Sequence, residues 1–154
     1  MEEILVKIQT KAFGEIEVSD KQKISFPDGI LGFEFIKDYY LLDMEDSPFY
    51  WLQSIEEQDI AFVVIQPDLF IPDYKLKVNN AELESIDIKD KEDILIFTIV
   101  TIPENPSEMT ANLQGPIIIN KKNNLARQAI SLDDNHRVKH ALMKADKSAV
   151  GGSD

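Results

Sequence analysis

The chain has 154 residues, one domain's length, with 44% hydrophobic and 29% charged residues, a composition that folds rather than stays disordered. It has no cysteine and only two histidines, His136 and His140, which excludes disulfides and thiolate chemistry and disfavours histidine-based catalysis. No apolar run approaches the roughly 18 residues of a membrane-spanning helix, and the acidic Met1-Glu2-Glu3 start lacks a signal peptide's basic region, so a cytoplasmic location is expected.

The net charge of −12 is unevenly spread: residues 1–120 carry −15 and residues 121–154 carry +3. An acidic body repels phosphate backbones and anionic lipid, so neither direct nucleic-acid nor membrane binding is expected. A basic protein partner fits this field, as does a simple solubility role for the charge.

In chain order, Ile4, Val6 and Ile8 alternate with polar neighbours, Gly14 breaks the run, and Ile16 and Val18 resume it, which predicts an antiparallel hairpin. Ile24 and Phe26 continue a strand that Pro27-Asp28-Gly29 stops. Residues 39–42, 50–55 and 61–66 read as three short strands, and Tyr74, Leu76 and Val78, alternating with lysines, as an edge strand. Asn79 as N-cap, with Leu83 and Ile86 on one face, predicts a short helix.

Residues 94–100 are apolar on both faces, which predicts a central strand, and Pro103 and Pro106 end it. Residues 109–113, 116–120 and 125–130 read as three more strands, with the Asn123-Asn124 turn suited to positive φ. The whole is expected to be an all-β domain with one or two short helices, a small antiparallel β-barrel or barrel-like sandwich over residues 1–132. Residues 133–154 form a basic C-terminal helix or tail whose last residues are expected to fray.

Four features could carry function. His136 and His140 stand at i, i+4, a metal-like spacing, but a zinc site needs three or four ligands and no metal is expected. Adjacent carboxylates at Glu45-Asp46, Glu56-Glu57 and Glu92-Asp93 are what an acidic chain supplies by chance, and nothing in the sequence marks a catalytic acid or base. The Phe26–Phe33 loop places four large apolar side chains around two glycines, either as a plug over an open sheet end or as an apolar anchor for a partner. Residues 82–93, with Glu82, Glu84, Asp87, Asp90, Glu92 and Asp93 against two lysines, are either a solvated face or, with neighbouring Asp73 and Tyr74, a contact surface for a basic partner. A small acidic β-barrel hydrolase or ligand-binding protein is the competing class.

Successive motifs, Phe26-Pro27-Asp28-Gly29-Ile30-Leu31-Gly32-Phe33, Leu52-Gln53-Ser54, residues 67–74 and Thr110-Ala111-Asn112-Leu113-Gln114-Gly115-Pro116 through Asn120, together resemble those of the flagellar assembly factor FliW family. Leu31 stands where a proline is expected and Gly115 where alanine is frequent. The resemblance implies a cytoplasmic, non-enzymatic protein without cofactor that switches partners, and a monomer is expected. It would bind flagellin and, when free, the RNA-binding translational repressor CsrA, so relieving repression of flagellin synthesis. It marks Phe26, Pro27, Gly29, Gly32, Phe33, Asn112, Leu113, Gln114, Pro116 and Asn120 as structural or binding residues. Asn112 and Gln114 can serve either by satisfying loop backbone groups or by touching a partner.

Overall fold

The computed structural model describes residues 3–142. The predicted hairpin forms from β1 (Leu5–Thr10) and β2 (Gly14–Ser19), antiparallel from Leu5↔Ser19 to Thr10↔Gly14. Gly14 takes φ +66° at the turn, and Thr10 Oγ1 donates to its carbonyl while accepting from Phe13 N. The pair is a sheet of its own, whose Val6, Ile8, Ile16 and Val18 pack on Tyr40, Leu42 and Trp51.

The larger sheet begins as a meander of β3 (Lys23–Ser25), β4 (Asp38–Asp43), β5 (Phe49–Ser54), β6 (Ala61–Ile65) and β7 (Ile94–Thr101). Strand β7 is the predicted centre: apart from Thr98 and Thr101 its residues are apolar on both faces, and both of its edges are paired. Ile94–Phe97 pair with β9 (Ile117–Asn120), whereas Thr98–Val100 pair with β6. Its last two residues meet β8 (Thr110–Ala111), which β11 (His140–Ala141) pairs in turn, and β10 (Ala126–Gln128) closes the path beside β9. Side-chain alternation then sorts the core: Ile117 and Ile119 enter the main cluster with Phe26, Tyr39, Leu52 and Phe97, while Ile118 turns to a second layer with Ile86, Ile88 and Ala129.

The fold is therefore mostly antiparallel β, with one α-helix, α1 (Asn80–Glu84), and short 3₁₀ turns among the described residues. The described residues do not close into a barrel. The first and last strands of the path, β3 and β10, meet through a single parallel bridge, Ser25↔Leu125, and not a ladder. Asn124, at φ +59° as its residue type allows, reinforces that seam by donating from Nδ2 to the Lys21 and Lys23 carbonyls.

Three local expectations change. Residues 74–78 form no ladder: Leu76 and Val78 do turn inward and Lys75 and Lys77 outward, but the segment lies over the Ile86–Ile118 layer with Lys77 O accepting from Leu132 N. The strand expected over 109–113 shrinks to two residues because Asn112 diverts the chain into a turn. Within 133–142 there is no helix; β11 instead adds to the sheet, so the domain runs past residue 132, and the rest of the expected helix or tail lies outside the described residues.

Candidate functional site

Two of the motifs singled out in the sequence, about 80 residues apart in the chain, face each other across a groove of about 590 Å³. One wall is Asp28, Gly29, Leu31 and Glu34 from the loop after β3; the other is Asn112, Gln114 and Gly115 from the β8–β9 connection. Arg127, Gln128, Ala129 and Ile130 run along the floor, and Val138 completes the lining.

The first wall is fixed by buried neighbours and tight turns. Phe26 and Ile30 are wholly buried and plug the main core, as the plug reading of this loop expects, and Gly29 N and Phe33 N donate to the Phe26 and Ile30 carbonyls. Gly29 has φ +72°, and a Cβ there would lie 2.5 Å from Glu34 Cα, so only glycine fits. The same geometry pushes Leu31 outward: it is 81% exposed, and with Ile130 at 67% and Val138 at 51% it gives the groove an apolar lining open to water. The loop is plug and exposed apolar surface at once.

The second wall is built by amides. Asn112 Oδ1 accepts from Gln114 N and Gly115 N, so this amide satisfies loop backbone. Leu113 and Pro116 are buried, and Gln114 is exposed in the groove. Asn120 lies outside the groove, where its side chain ties the Ile86 carbonyl to the Lys122 N–H. Gln128 joins the walls: its Oε1 accepts from Leu31 N at 3.0 Å and its Nε2 donates to Gly115 O at 3.1 Å. A Cβ on residue 115 would stand 2.8 Å from that Nε2, so any larger residue here would require the end of the Gln128 side chain to shift.

Charge links the groove to the acidic segment. Arg127 Nε lies 2.8 Å from Glu82 Oε1, an ion pair whose N–H is not aimed along the bond, while its Nη1 donates to Ser85 Oγ at 2.9 Å and stands 3.5 Å from Asp28 Oδ2. Glu82 Oε2 accepts from Ile130 N, so one carboxylate holds both helix α1 and the groove floor. Asp93 is likewise engaged, with Lys122 3.5 Å away and its carbonyl accepting from Lys121 N. Glu84, Asp87, Asp90 and Glu92 are the segment's exposed acids.

Asp73 and Tyr74 differ in what they present. Asp73 is exposed at φ +60°, but Tyr74 packs into the cluster around Ile65, Val100 and Leu113 and stacks on His136, with ring centroids 5.1 Å apart. His136 Nδ1 meets Ser131 Oγ at 2.6 Å and its Nε2 lies 3.7 Å from Asp133. The Asn135 main-chain N–H, with help from His136 and Lys77, holds the Asp133 carboxyl below its ordinary range against the opposing effect of desolvation. No cluster of three candidate metal ligands occurs among the described residues.

Arg127, Gln128, Glu34, Ile130 and Val138 were not picked out from the sequence. One signal was available: Arg127 is one of only two arginines, set within the apolar run Leu125–Ile130 of an acidic protein.

Fold and site together define the class: a mostly antiparallel β domain carrying an apolar, carboxylate-rimmed groove. The model of the FliW protein family matches residues 7–142, and the chain belongs to that family of flagellar assembly factors, which are not enzymes. Among its relatives is the flagellar assembly factor FliW of Treponema denticola, 46% identical over 146 residues, covering 95% of this chain and 99% of that protein. That of Leptospira biflexa is 48% identical over 142 residues, covering 91% and 93%. A crystal structure of the flagellar assembly factor FliW superposes with a TM-score of 0.81 at 37% identity, covering 89% of this chain and 96% of that one. No helix among the described residues is long and apolar enough to cross a membrane.

Proposed function

We propose that this protein is a cytoplasmic partner-switching regulator that binds flagellin in the groove and, when free, binds the translational repressor CsrA through its exposed acids. Flagellin accumulation would then withdraw it from the repressor, so that flagellin level feeds back on its own synthesis. The observation that carries this reading is the meeting of the Asp28–Glu34 loop and the Asn112–Gly115 loop on one apolar groove rimmed by Asp28 and Glu34. Exposed apolar surface inside an acidic rim suits an apolar partner segment flanked by basic residues. Glu84, Asp87, Asp90 and Glu92 offer a separate, purely electrostatic surface suited to a basic RNA-binding protein.

Size-exclusion chromatography tests the first half. The purified protein and the flagellin of the same bacterium should co-elute at micromolar concentration, and Leu31→Asp with Ile130→Asp, both exposed and so tolerable to the fold, should abolish co-elution. Separate elution of the wild-type pair would count against flagellin as the partner, and an unchanged complex with the double variant would remove the groove as its site.

A further inference from the structure

The ladder between β9 and β10 fixes where each main-chain group on the groove floor points. Asn120 N donates to Leu125 O and Ala129 N to Pro116 O, with Ala126↔Ile119, Arg127↔Ile118 and Gln128↔Ile117 in register between them. Bonded positions alternate along an antiparallel pair, so residues 125, 127 and 129 face β9 while 126, 128 and 130 turn N–H and C=O to the opposite edge. That edge borders β3 at one point. Ser25 bridges Leu125, with Ser25 N donating to Asn124 O, and at Phe26 the chain departs, giving its N–H to Lys37 O.

Farther along, Glu82 takes Ile130 N. Between those two points, the outward N–H and C=O of Gln128 pair with no main-chain group among the described residues. Gln128 also lines the groove, so the groove and the unzipped part of the β3–β10 seam are the same place. An unpaired strand edge is a template for another extended chain.

We propose that the groove captures its partner by strand addition: about four residues of the partner, spanning ~13 Å in extended form, lie between β10 and the 28–34 loop and pair their main chain with Gln128. This rests on the reading of the groove as the flagellin site and specifies the form in which the segment is held. Strand alternation then sets the preference. Side chains on one face of the segment meet Leu31, Ile130 and Val138 and should be apolar, while a lysine or arginine on the other reaches the Asp28 and Glu34 carboxylates.

Nuclear magnetic resonance on the labelled complex with flagellin decides the matter. Strand addition predicts that the Gln128 amide exchanges with solvent at least tenfold more slowly in the complex. It also predicts that the bound flagellin segment has Cα and Cβ shifts of extended chain, and that its backbone protons show Overhauser contacts to Ala129 Hα. Binding with helical shifts in that segment, or with an unchanged Gln128 amide, would overturn strand addition while leaving the flagellin reading intact. Absence of any complex would overturn both.

Discussion

Glu82 and Arg127 approach to 2.8 Å, and through that ion pair helix α1 is fastened to the floor of the groove. The Glu82 side chain is 12% exposed and also accepts from Ile130 N. Glu82→Ala should therefore leave a partly buried guanidinium and an unmatched amide, costing about 1–3 kcal/mol in urea unfolding. Glu84→Ala, two residues further along α1 and exposed, should cost under about 0.5 kcal/mol. Equal losses would show that the pair contributes nothing beyond surface charge.

The two glycines of the groove loop should behave differently. Gly29→Ala places a Cβ 2.5 Å from backbone at Glu34 on top of an unfavourable φ, so the loop must move; a loss above about 2 kcal/mol and loss of flagellin binding are expected. Gly32 has φ +88° but nothing within 4 Å of a Cβ, so Gly32→Ala should cost about 1–2 kcal/mol and spare binding. Thermal denaturation together with a binding titration separates the two outcomes.

How far such a site could be read beforehand depended on distance along the chain. The β1–β2 hairpin and β7 were legible because alternation and a run that is apolar on both faces are local signals. The same alternation at Tyr74–Val78 named the buried side chains correctly and the ladder wrongly, since pairing depends on a neighbour that sequence does not display. Counting acids over 82–93 treated Glu82 and Asp93 like the others. Their partners, Arg127 and Lys122, come from beyond β9, so the local count could not show that these two carboxylates are already ion-paired within the fold. The groove loops were legible by resemblance, but Gln128, which spans them, belongs to no motif that was recognised.

Alkaline pH should expose two buried phenols. Burial, then the nearby Glu56 charge, pushes the Tyr39 hydroxyl up to about 12 from 10.0; burial, then Asp68 and Asp133, does the same to Tyr74. Each therefore keeps its proton in the fold when the unfolded chain has lost it, so stability is intact below about pH 10 and falls as pH rises towards 12. Neither hydroxyl has a hydrogen-bond partner among the described residues. Tyr39→Phe should accordingly leave neutral-pH stability nearly unchanged and flatten the alkaline decline. A decline as steep as in the wild type would place its origin elsewhere.

Charge reversal at the exposed acids tests the repressor reading. Glu84→Lys, Asp87→Lys and Glu92→Lys together should weaken CsrA binding at least tenfold, and the wild-type affinity should fall as salt rises because exposed charges are screened over about 8–10 Å. Flagellin affinity should change far less. Calorimetric titration of both partners checks this, and the reverse pattern would assign the acidic face to flagellin.

The groove walls have a temporal consequence. Leu31 and Gln128, which hold the walls together, are separated by 97 positions, and the seam beside them joins Ser25 to Leu125. The β3–β6 meander can pair as each strand emerges from the ribosome, since every partner is the preceding strand, but the seam and the groove must wait for residues near 130. A nascent chain of this protein thus carries no competent groove until nearly the whole domain has been translated. An unfinished copy therefore has no groove to offer a partner, whatever its already translated acidic segment contacts.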